Sequence, residues 1–275
     1  MVWREQGVGD EILFASCYQD LVDRADHVII ECEPRLRRLF ARSFPTATVR
    51  AQPPPHEGES EPRNLGDFDV QVAAGSVPRY VRRDVRDFPT RNAFLVPDPD
   101  RVAFWRARVA RFGAGLNVGI SWRSRINQGL RGRLYTALPD WGPVLGVEGV
   151  NWVNLQYDDC SEELAEAERV HGVTIHTWDD IDLMMDLDNV AALTTALDLV
   201  IAPGNAVSHM AASLGVPDWQ MDLPDDYSSL GMAGYLWMPT MRRFTRRHDE
   251  GWERVVAEVG ASLETVVRKR RLRSA

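Results

Sequence analysis

Short apolar runs alternate with segments of helical periodicity along almost the whole chain, a pattern that indicates parallel β-sheets joined by crossover helices. The predicted strands cover residues 27–31, 48–51, 68–72, 93–96, 118–122, 152–156, 173–176 and 199–202, with another short one near Trp219. The predicted helices cover residues 34–44, 98–112, 161–170, 187–197 and 252–267, with another beginning at Ala206. The expected fold class is therefore α/β.

The helix predicted over residues 98–112 separates two such series. We predict one Rossmann-like domain over residues 1–112 and a second over residues 113–275, each built on a parallel sheet. Such sheets bind ligands beyond the carboxyl ends of their strands, which here would face a cleft between the domains. The C-terminal helix belongs to the second domain in this scheme, and packing back on the first domain is an alternative. A polar, proline-rich stretch over residues 52–62 predicts a surface insertion, because proline cannot pair within a sheet.

Composition and charge exclude several classes of protein. The chain has 275 residues, of which 44% are apolar, and a formal net charge of -8. An acidic chain is not expected to bind nucleic acid through a general electrostatic footprint. No run approaches the ~20 apolar residues that a membrane-spanning helix needs, so no transmembrane segment is predicted. The three cysteines, Cys17, Cys32 and Cys160, have neither zinc nor disulfide spacing, which fits a reducing cytoplasm.

A predicted strand that runs into a tight turn and a helix, over residues 199–217, carries the clearest chemical signal. Asn205 would cap the helix, and the backbone N–H groups of Ala206, Val207 and Ser208 would be free at its N-terminus. Unpaired amides at the positive end of a helix dipole bind phosphate, so this turn is a candidate phosphate site. The alternative is an ordinary strand-to-helix turn of an α/β domain.

The same stretch resembles the heptosyltransferase-like glycosyltransferases, including those fused behind tetratricopeptide repeats and used in flagellin glycosylation. Further motifs that share this resemblance lie at residues 7–15, 119–123, 155–157, 186–193 and 237–244. Each motif is short, but their order and spacing together extend the resemblance over nearly the whole chain.

The resemblance implies a GT-B architecture, with the first domain on the acceptor side and the second binding a nucleotide-sugar. It also implies a bacterial, cytoplasmic, inverting and metal-independent glycosyltransferase of hexosyl or heptosyl type. Such an enzyme needs no cofactor, since the nucleotide-sugar is its substrate, and its acceptor would be a hydroxyl of a glycan or of a protein such as flagellin. A tetratricopeptide-repeat domain or a partner chain would supply acceptor recognition. The alternative is a non-catalytic GT-B module that binds a nucleotide-sugar or a protein.

Asp10 follows a strand-like start and a Gly-x-Gly turn, at the mouth of an apolar helix. The resemblance implies that this aspartate lies beside the acceptor, where a carboxylate can take the proton of the attacking hydroxyl as a general base. Gly7 and Gly9 would let the backbone turn tightly and leave room for the sugar. Alternatively, Asp10 and Glu11 only favour the helix N-terminus electrostatically.

Side chains that follow the strands of the second domain are candidates for binding the donor. By the resemblance, Arg123 would neutralise the leaving diphosphate, with Arg125 beside it and Arg131 and Arg133 one loop further on. The other candidates are Gly204, Asn205, Ala206, Val207 and His209 around the turn, Gln156 and Tyr157 for the base or ribose, and Arg242 where the chain returns toward the first domain.

Acidic residues before two helices predict caps, and no metal site is expected. Asp158 and Asp159 precede the helix over residues 161–170, while Asp182, Asp186 and Asp188 stand at the start of the helix over residues 187–197. Carboxylates at such positions commonly accept hydrogen bonds from free backbone amides.

The chain departs from the family pattern at the phosphate turn itself. Where many relatives have an acidic residue followed by threonine, this chain has Gly204-Asn205. The backbone cradle would remain, but a carboxylate expected to touch the donor sugar is missing, which leaves the donor and the activity open. A CMP-linked nonulosonic acid, with its single phosphate, would ask less of the cradle than a diphosphate does.

Overall fold

A computed structural model describes residues 1–52, 66–125, 132, 134–224, 226–232 and 234–274. The proline-rich stretch predicted as an insertion lies outside the described residues except for Gln52, and Arg131 and Arg133 lie outside them as well. Within the described residues the chain forms two sheets with helices packed on them, which confirms the predicted α/β class.

The first half of the molecule contains a four-stranded sheet. Its strands are β1 (Val2–Trp3), β2 (Ile29–Cys32), β3 (Thr48–Ala51) and β4 (Val72–Ala73). They are parallel and lie in the order β3-β2-β1-β4. The strand predicted over residues 93–96 is wrong, because the N–H groups of Phe94 and Leu95 both donate to the Ser213 carbonyl, at 3.0 and 3.1 Å, and so bind a helix end in place of a neighbouring strand.

The second half contains a six-stranded parallel sheet. Its strands are β5 (Leu116–Ile120), β6 (Val150–Asn154), β7 (Ile175–His176), β8 (Leu199–Pro203), β9 (Asp218–Asp222) and β10 (Met241–Thr245). Their order is β10-β9-β8-β5-β6-β7. The sequence analysis did not identify β10 as a strand, since Arg242 and Arg243 interrupt its apolar pattern. Only Met241 and Phe244 of this edge strand are buried.

Ten α-helices lie within the described residues. They are α1 (Val8–Ala15), α2 (Tyr18–Val22), α3 (Arg37–Ser43), α4 (Pro78–Val81), α5 (Pro99–Val109), α6 (Gly142–Leu145), α7 (Ser161–His171), α8 (Leu187–Thr195), α9 (Ala206–Ser213) and α10 (Glu253–Ser274). Two of them begin at a capping aspartate: Asp98 accepts from the backbone of α5, and Asp186 accepts from the backbone of α8. Among these helices none combines the length and apolar character that crossing a bilayer requires.

Helices from both halves share one apolar core between the two sheets. α1 of the first half packs against α9, and α5, along which the chain passes to the second sheet, packs against α8. The fully buried Ile12 and Leu13 belong to the same cluster of side chains as Met210 and Ala211. Trp105 adds a polar link, because its indole N–H donates to Asn189 Oδ1 at 2.7 Å.

The C-terminal helix α10 stays in the second half, so the alternative that it packs back on the first domain is wrong. Its apolar residues Val255, Val259 and Leu263 are buried in a separate core on the far side of the second sheet. α10 crosses α6 at Gly260, where a Cβ atom would lie 2.2 Å from the Pro143 carbonyl oxygen. This close approach of two backbones fixes the helix on the second domain.

Candidate active site

A cleft of about 550 Å³ opens where α1 meets α9, and side chains from both halves line it. Gly9, Asp10 and Arg35 reach it from the first half. The second half supplies Arg125, Tyr157, Gly204, Asn205, Ala206, Val207, His209 and Tyr227, among others. The predicted acceptor-side loop and the predicted phosphate turn therefore border one shared space, at the carboxyl ends of β5 and β8.

Asp10 stands at the first turn of α1 with its carboxylate held on both oxygens. Oδ1 accepts from the Tyr227 hydroxyl at 2.8 Å, and Oδ2 accepts from the Gly7 N–H at 3.3 Å. Both interpretations of this residue thus have a contact in the structure: Asp10 binds the free amide that precedes its helix, and it also lines the cleft. Gly7 is exposed and has only the capping role, outside the cleft lining.

Gly9 lies against the N-terminus of α9. A Cβ atom at this position would be 3.3 Å from the Ala206 nitrogen and 3.4 Å from Nδ1 of His209. Nearly all real Cβ contacts are longer, so only glycine lets the two helices approach this closely without a shift. The second glycine of the motif brings Asp10 to the phosphate turn.

His209 fastens the two halves together at the same point. Because a carbonyl can only accept, Nδ1–H of His209 donates to the Gly9 oxygen, at 2.8 Å, while Nε2 lies 3.3 Å from the Tyr235 hydroxyl. The ring is buried, and burial lowers its pKa, which favours the neutral form. The histidine lines the cleft as predicted, but its hydrogen bonds are to protein groups of both halves.

Glu11 points away from the cleft into the first half. Its Oε2 accepts from the Glu33 N–H at 2.8 Å, and Arg4 lies 2.8 Å from Oε1. Burial raises the pKa of Glu11 to about 7, although the Glu33 N–H and Arg4 act in the opposite direction. Glu11 therefore organises the loop after β2 and has no access to a ligand in the cleft.

Arg35 is a cleft residue that the sequence analysis missed. Its Nε donates to both oxygens of Glu33, at 2.9 and 2.8 Å, and Nη1 donates to the Met184 carbonyl of the opposite half at 2.9 Å. Its position soon after the carboxyl end of β2 was the available signal, because the same topology rule that favoured Arg123 applies there.

The N-terminus of α9 offers fewer free amides than predicted. Asn205 Oδ1 accepts from the N–H groups of Val207 and Ser208, at 2.9 and 3.3 Å. Within the described part of the chain, Ala206 is then the one of the three predicted donors whose N–H has no protein acceptor. The expectation of three free amides was wrong because asparagine is itself a strong N-cap and uses two of them.

The space beside Gly204 is filled from the neighbouring strand β9. A Cβ atom there would lie 2.6 Å from Nε2 of Gln220 and 3.7 Å from Oδ1 of Asp222. Asp222 pairs with Arg243 at 3.1 Å, and burial raises the pKa of its carboxyl group to about 6. The Asp222 carboxylate thus lies next to Gly204, the position where the family pattern has an acidic residue. It comes from β9 and not from the turn itself.

Arg123 and Arg125 are placed differently although only one residue separates them. The Arg123 guanidinium pairs with Asp158 and with Glu163, donates to the Asp159 carbonyl, and is absent from the cleft lining. Arg125 lines the cleft and is exposed. The structure therefore does not bring Arg123 to the predicted phosphate position, because α7 presents a carboxylate that binds its side chain. Arg125 is the arginine of this pair that reaches the cleft.

The base or ribose candidates also divide. Gln156 is buried, and its Oε1 accepts from the Ser121 hydroxyl at 3.0 Å and from the Trp122 N–H at 3.2 Å, so it joins β5 to β6 away from the cleft. Tyr157 lines the cleft, and its hydroxyl donates to Ser124 Oγ at 3.1 Å.

Arg242 lies on the edge strand β10. Its guanidinium stacks over the Phe244 ring at 4.2 Å and near the Trp219 ring at 5.5 Å, on the exposed edge of the second sheet. It does not line the cleft.

The acidic residues singled out as caps mostly bind backbone amides or arginines. Asp159 accepts from the Ser161 N–H at 3.2 Å, but Cys160 is the N-cap of α7, and Asp182 accepts from the Met184 N–H at 2.9 Å in the turn before α8, so neither caps its predicted helix. Asp186 caps α8, while Asp188 pairs with Arg42 at 2.8 Å. Nowhere in the described ranges do three or more potential metal ligands come together.

Replacing Asn205 by alanine is expected to lower the free energy of unfolding by about 1 kcal/mol, because two amides of α9 lose their acceptor. Asn205→Asp is the control, since its carboxylate keeps the acceptor for both amides but loses the Nδ2–H donor to the Ser121 hydroxyl, so its stability should lie between those of the wild type and the alanine variant. Urea titration of both variants measures the difference. Equal stability of the alanine variant and the wild type would show that the cap contributes nothing.

Comparison with known proteins gives one clear relative by sequence. The chain is 38% identical over 272 residues to Protein FlbA of Caulobacter vibrioides, a match that covers 96% of this chain and 46% of the relative. The chain therefore spans about half the length of the curated relative it matches. No family model matches the sequence.

Two solved structures share the fold at low sequence identity. The ADP-heptose lipopolysaccharide heptosyltransferase II of Escherichia coli superimposes with a TM-score of 0.66 at 14% identity, over 98% of both chains. The family 9 glycosyl transferase of Veillonella parvula gives a TM-score of 0.58 at 12% identity, over 100% of this chain and 97% of the other. The chain thus has the GT-B fold of these glycosyltransferases, as the sequence predicted.

Proposed function

We propose that this chain is an inverting, metal-independent glycosyltransferase domain that moves a sugar from a nucleotide-activated donor to a hydroxyl group of a protein or glycan. The observation that carries the proposal is the meeting of Asp10, from the first half, with the N-terminus of α9, from the second half, over one cleft. The shared fold with two sugar-transferring enzymes supports the same reaction class.

In this mechanism Asp10 is the general base. Its carboxylate takes the proton of the acceptor hydroxyl while the hydroxyl oxygen attacks the anomeric carbon from the side opposite the leaving phosphate, so the configuration inverts. General base catalysis of this kind typically contributes ~10²–10⁴-fold. The departing phosphate would lie near the Ala206 N–H and the positive end of α9, with Arg125 and Arg35 lining the same cleft.

The small number of free amides favours a donor with a single phosphate. Since Asn205 binds the N–H groups of Val207 and Ser208, the turn retains the Ala206 N–H for the ligand. One amide and a helix dipole suit the phosphate of a CMP-linked sugar better than a diphosphate, which needs several donors. The proposed donor class is therefore a CMP-linked sugar acid, in preference to a nucleoside diphosphate hexose or heptose.

Nucleotide binding tests this donor class directly. CMP at ~100 times its dissociation constant should stabilise the fold by about 2.7 kcal/mol, which corresponds to a rise in Tm of about 5–10 °C. UDP, GDP and ADP at the same concentration should give smaller shifts, and Arg125→Ala should reduce the CMP shift. A large shift with a diphosphate and none with CMP would reject the single-phosphate donor.

The acceptor and its recognition also belong to this proposal. We place a protein hydroxyl, with flagellin as the first candidate, on the Asp10 side of the cleft, and a tetratricopeptide-repeat domain or a partner chain as the module that delivers it. The resemblance to tetratricopeptide-linked transferases supports this, and the sequence relative is about twice as long as the region it shares with this chain.

A non-catalytic nucleotide-sugar-binding module is the second candidate. The glycine at position 204 favours it, because the family acid is absent there and Asp222 is committed to Arg243. Incubation with CMP-, UDP-, GDP- and ADP-sugars separates the two candidates: nucleotide release supports the transferase, and binding without release supports the module.

A further inference from the structure

Tyr227 donates a hydrogen bond to Asp10. Among the described residues, it is the one side chain of the second half that does so. Its hydroxyl donates to Asp10 Oδ1 at 2.8 Å across 217 positions of sequence. The residue begins a one-turn 3-10 helix, Tyr227–Ser229, and 65% of it is exposed at the mouth of the cleft. A long, exposed side chain rarely makes a defined contact unless its backbone is fixed.

The backbone below Tyr227 is fixed by buried polar contacts. Ser228 and Ser229 are buried, and the Ser228 carbonyl accepts from the Trp237 indole N–H at 2.8 Å. The Ser228 hydroxyl accepts from the Tyr235 hydroxyl at 2.9 Å. Tyr227 thus projects from an anchored turn, and its ring reaches over the cleft to the first half.

The phenol keeps its proton and donates a hydrogen bond to the carboxylate. Although most of the residue is exposed, partial desolvation of the phenol and the adjacent Asp10 carboxylate both raise the pKa of Tyr227 above its ordinary value, so the group stays protonated near neutral pH. A hydrogen bond from a neutral hydroxyl to a carboxylate is charge-assisted and stronger than a neutral one. The bond from the Gly7 N–H to the other oxygen, at 3.3 Å, is longer.

We infer that Tyr227 is a positioning residue for the proposed general base, holding the Asp10 carboxylate in the orientation that receives the acceptor proton. The inference rests on the proposed function and adds to it. Tyr227 belongs to the half proposed to bind the donor, and Asp10 belongs to the other half. The Asp10 carboxylate is therefore oriented only when the two halves are packed together around the cleft. The phenol touches the base and transfers no proton itself.

Removal of the hydroxyl tests this role with little risk to the fold. Tyr227→Phe is expected to lower kcat for nucleotide release about 10- to 100-fold, because the carboxylate loses its fixed orientation, while KM for the donor changes less than about twofold. Nucleotide release from CMP-, UDP-, GDP- and ADP-sugars measures both constants. Tyr80→Phe is the matched control, since Tyr80 is also exposed but does not line the cleft, and it should match the wild type.

A double-mutant cycle distinguishes action through Asp10 from a general effect. In an Asp10→Ala background, Tyr227→Phe should cause no further loss, because the group it orients is gone. The same loss in both backgrounds, an unchanged kcat, or a faster Tyr227→Phe variant overturns the inference while the proposed function stands. A wild-type protein that releases nucleotide from none of these sugars overturns the proposed function and, with it, this role for Tyr227.

Discussion

Replacing Asp10 by asparagine is expected to lower sugar transfer by ~10²–10⁴-fold and to leave the protein folded. The amide has nearly the shape of the carboxylate, and its oxygen can still accept from the Tyr227 hydroxyl. It cannot take the proton of the acceptor hydroxyl, however, so the attacking oxygen stays a weak nucleophile. Affinity for the nucleotide should stay within about twofold of the wild type, because in the proposed mechanism Asp10 acts on the acceptor and not on the nucleotide.

The measurement is kcat for transfer beside Tm and nucleotide affinity for the same preparation. Asp26→Asn is the matched control, since this exposed aspartate lies outside the cleft lining and its replacement removes the same charge. Transfer by Asp10→Asn at the wild-type rate, with an unchanged Tm, would leave the carboxylate with the capping role alone.

The second large effect is expected for Gly9→Val, which should weaken both the fold and the reaction. The first added carbon would already lie 3.3 Å from a backbone nitrogen of α9, and a backbone atom cannot move aside as a flexible side chain does. Overpacking of this kind costs about 1–3 kcal/mol of unfolding free energy. A displacement of α1 by ~1 Å would also misplace Asp10 and cost on the order of 100-fold in transfer.

Gly234→Val controls for the substitution itself, because a Cβ atom at Gly234 meets no atom within 4 Å. Urea unfolding and transfer assays on both variants compare a crowded with an open glycine. If Gly9→Val kept the wild-type stability and rate, the contact between α1 and α9 would not be what aligns the site.

Local signals were enough to predict most strands and to bring several candidate residues to one cleft. The strand over residues 199–202 forms as predicted, because four consecutive apolar residues that are all buried leave few alternatives. Asp10 and Ala206 could be assigned to one cleft because the carboxyl ends of parallel strands share an edge, a rule that needs no knowledge of side chains.

The misses concern contacts between distant residues. The contact between Tyr227 and Asp10 depends on how two sheets pack, and no local pattern records this. Arg123 pairs with Glu163 because α7 lies beside it, and the position of α7 cannot be predicted from the sequence around Arg123. Asn205 was identified as a cap. The sequence analysis nevertheless counted the N–H groups of Val207 and Ser208 as free for a ligand, although a capping asparagine accepts from both of them.

The core that α1 shares with α9 has a consequence for protein engineering. In many two-domain enzymes the halves are joined by a polar interface and can be exchanged between relatives, but a large apolar interface ties them together. Here Leu13 and Met210 are buried in the same cluster of side chains. A chimera that takes one half from another transferase must therefore transplant both helices as a matched pair, and neither half is a module that can be recombined alone.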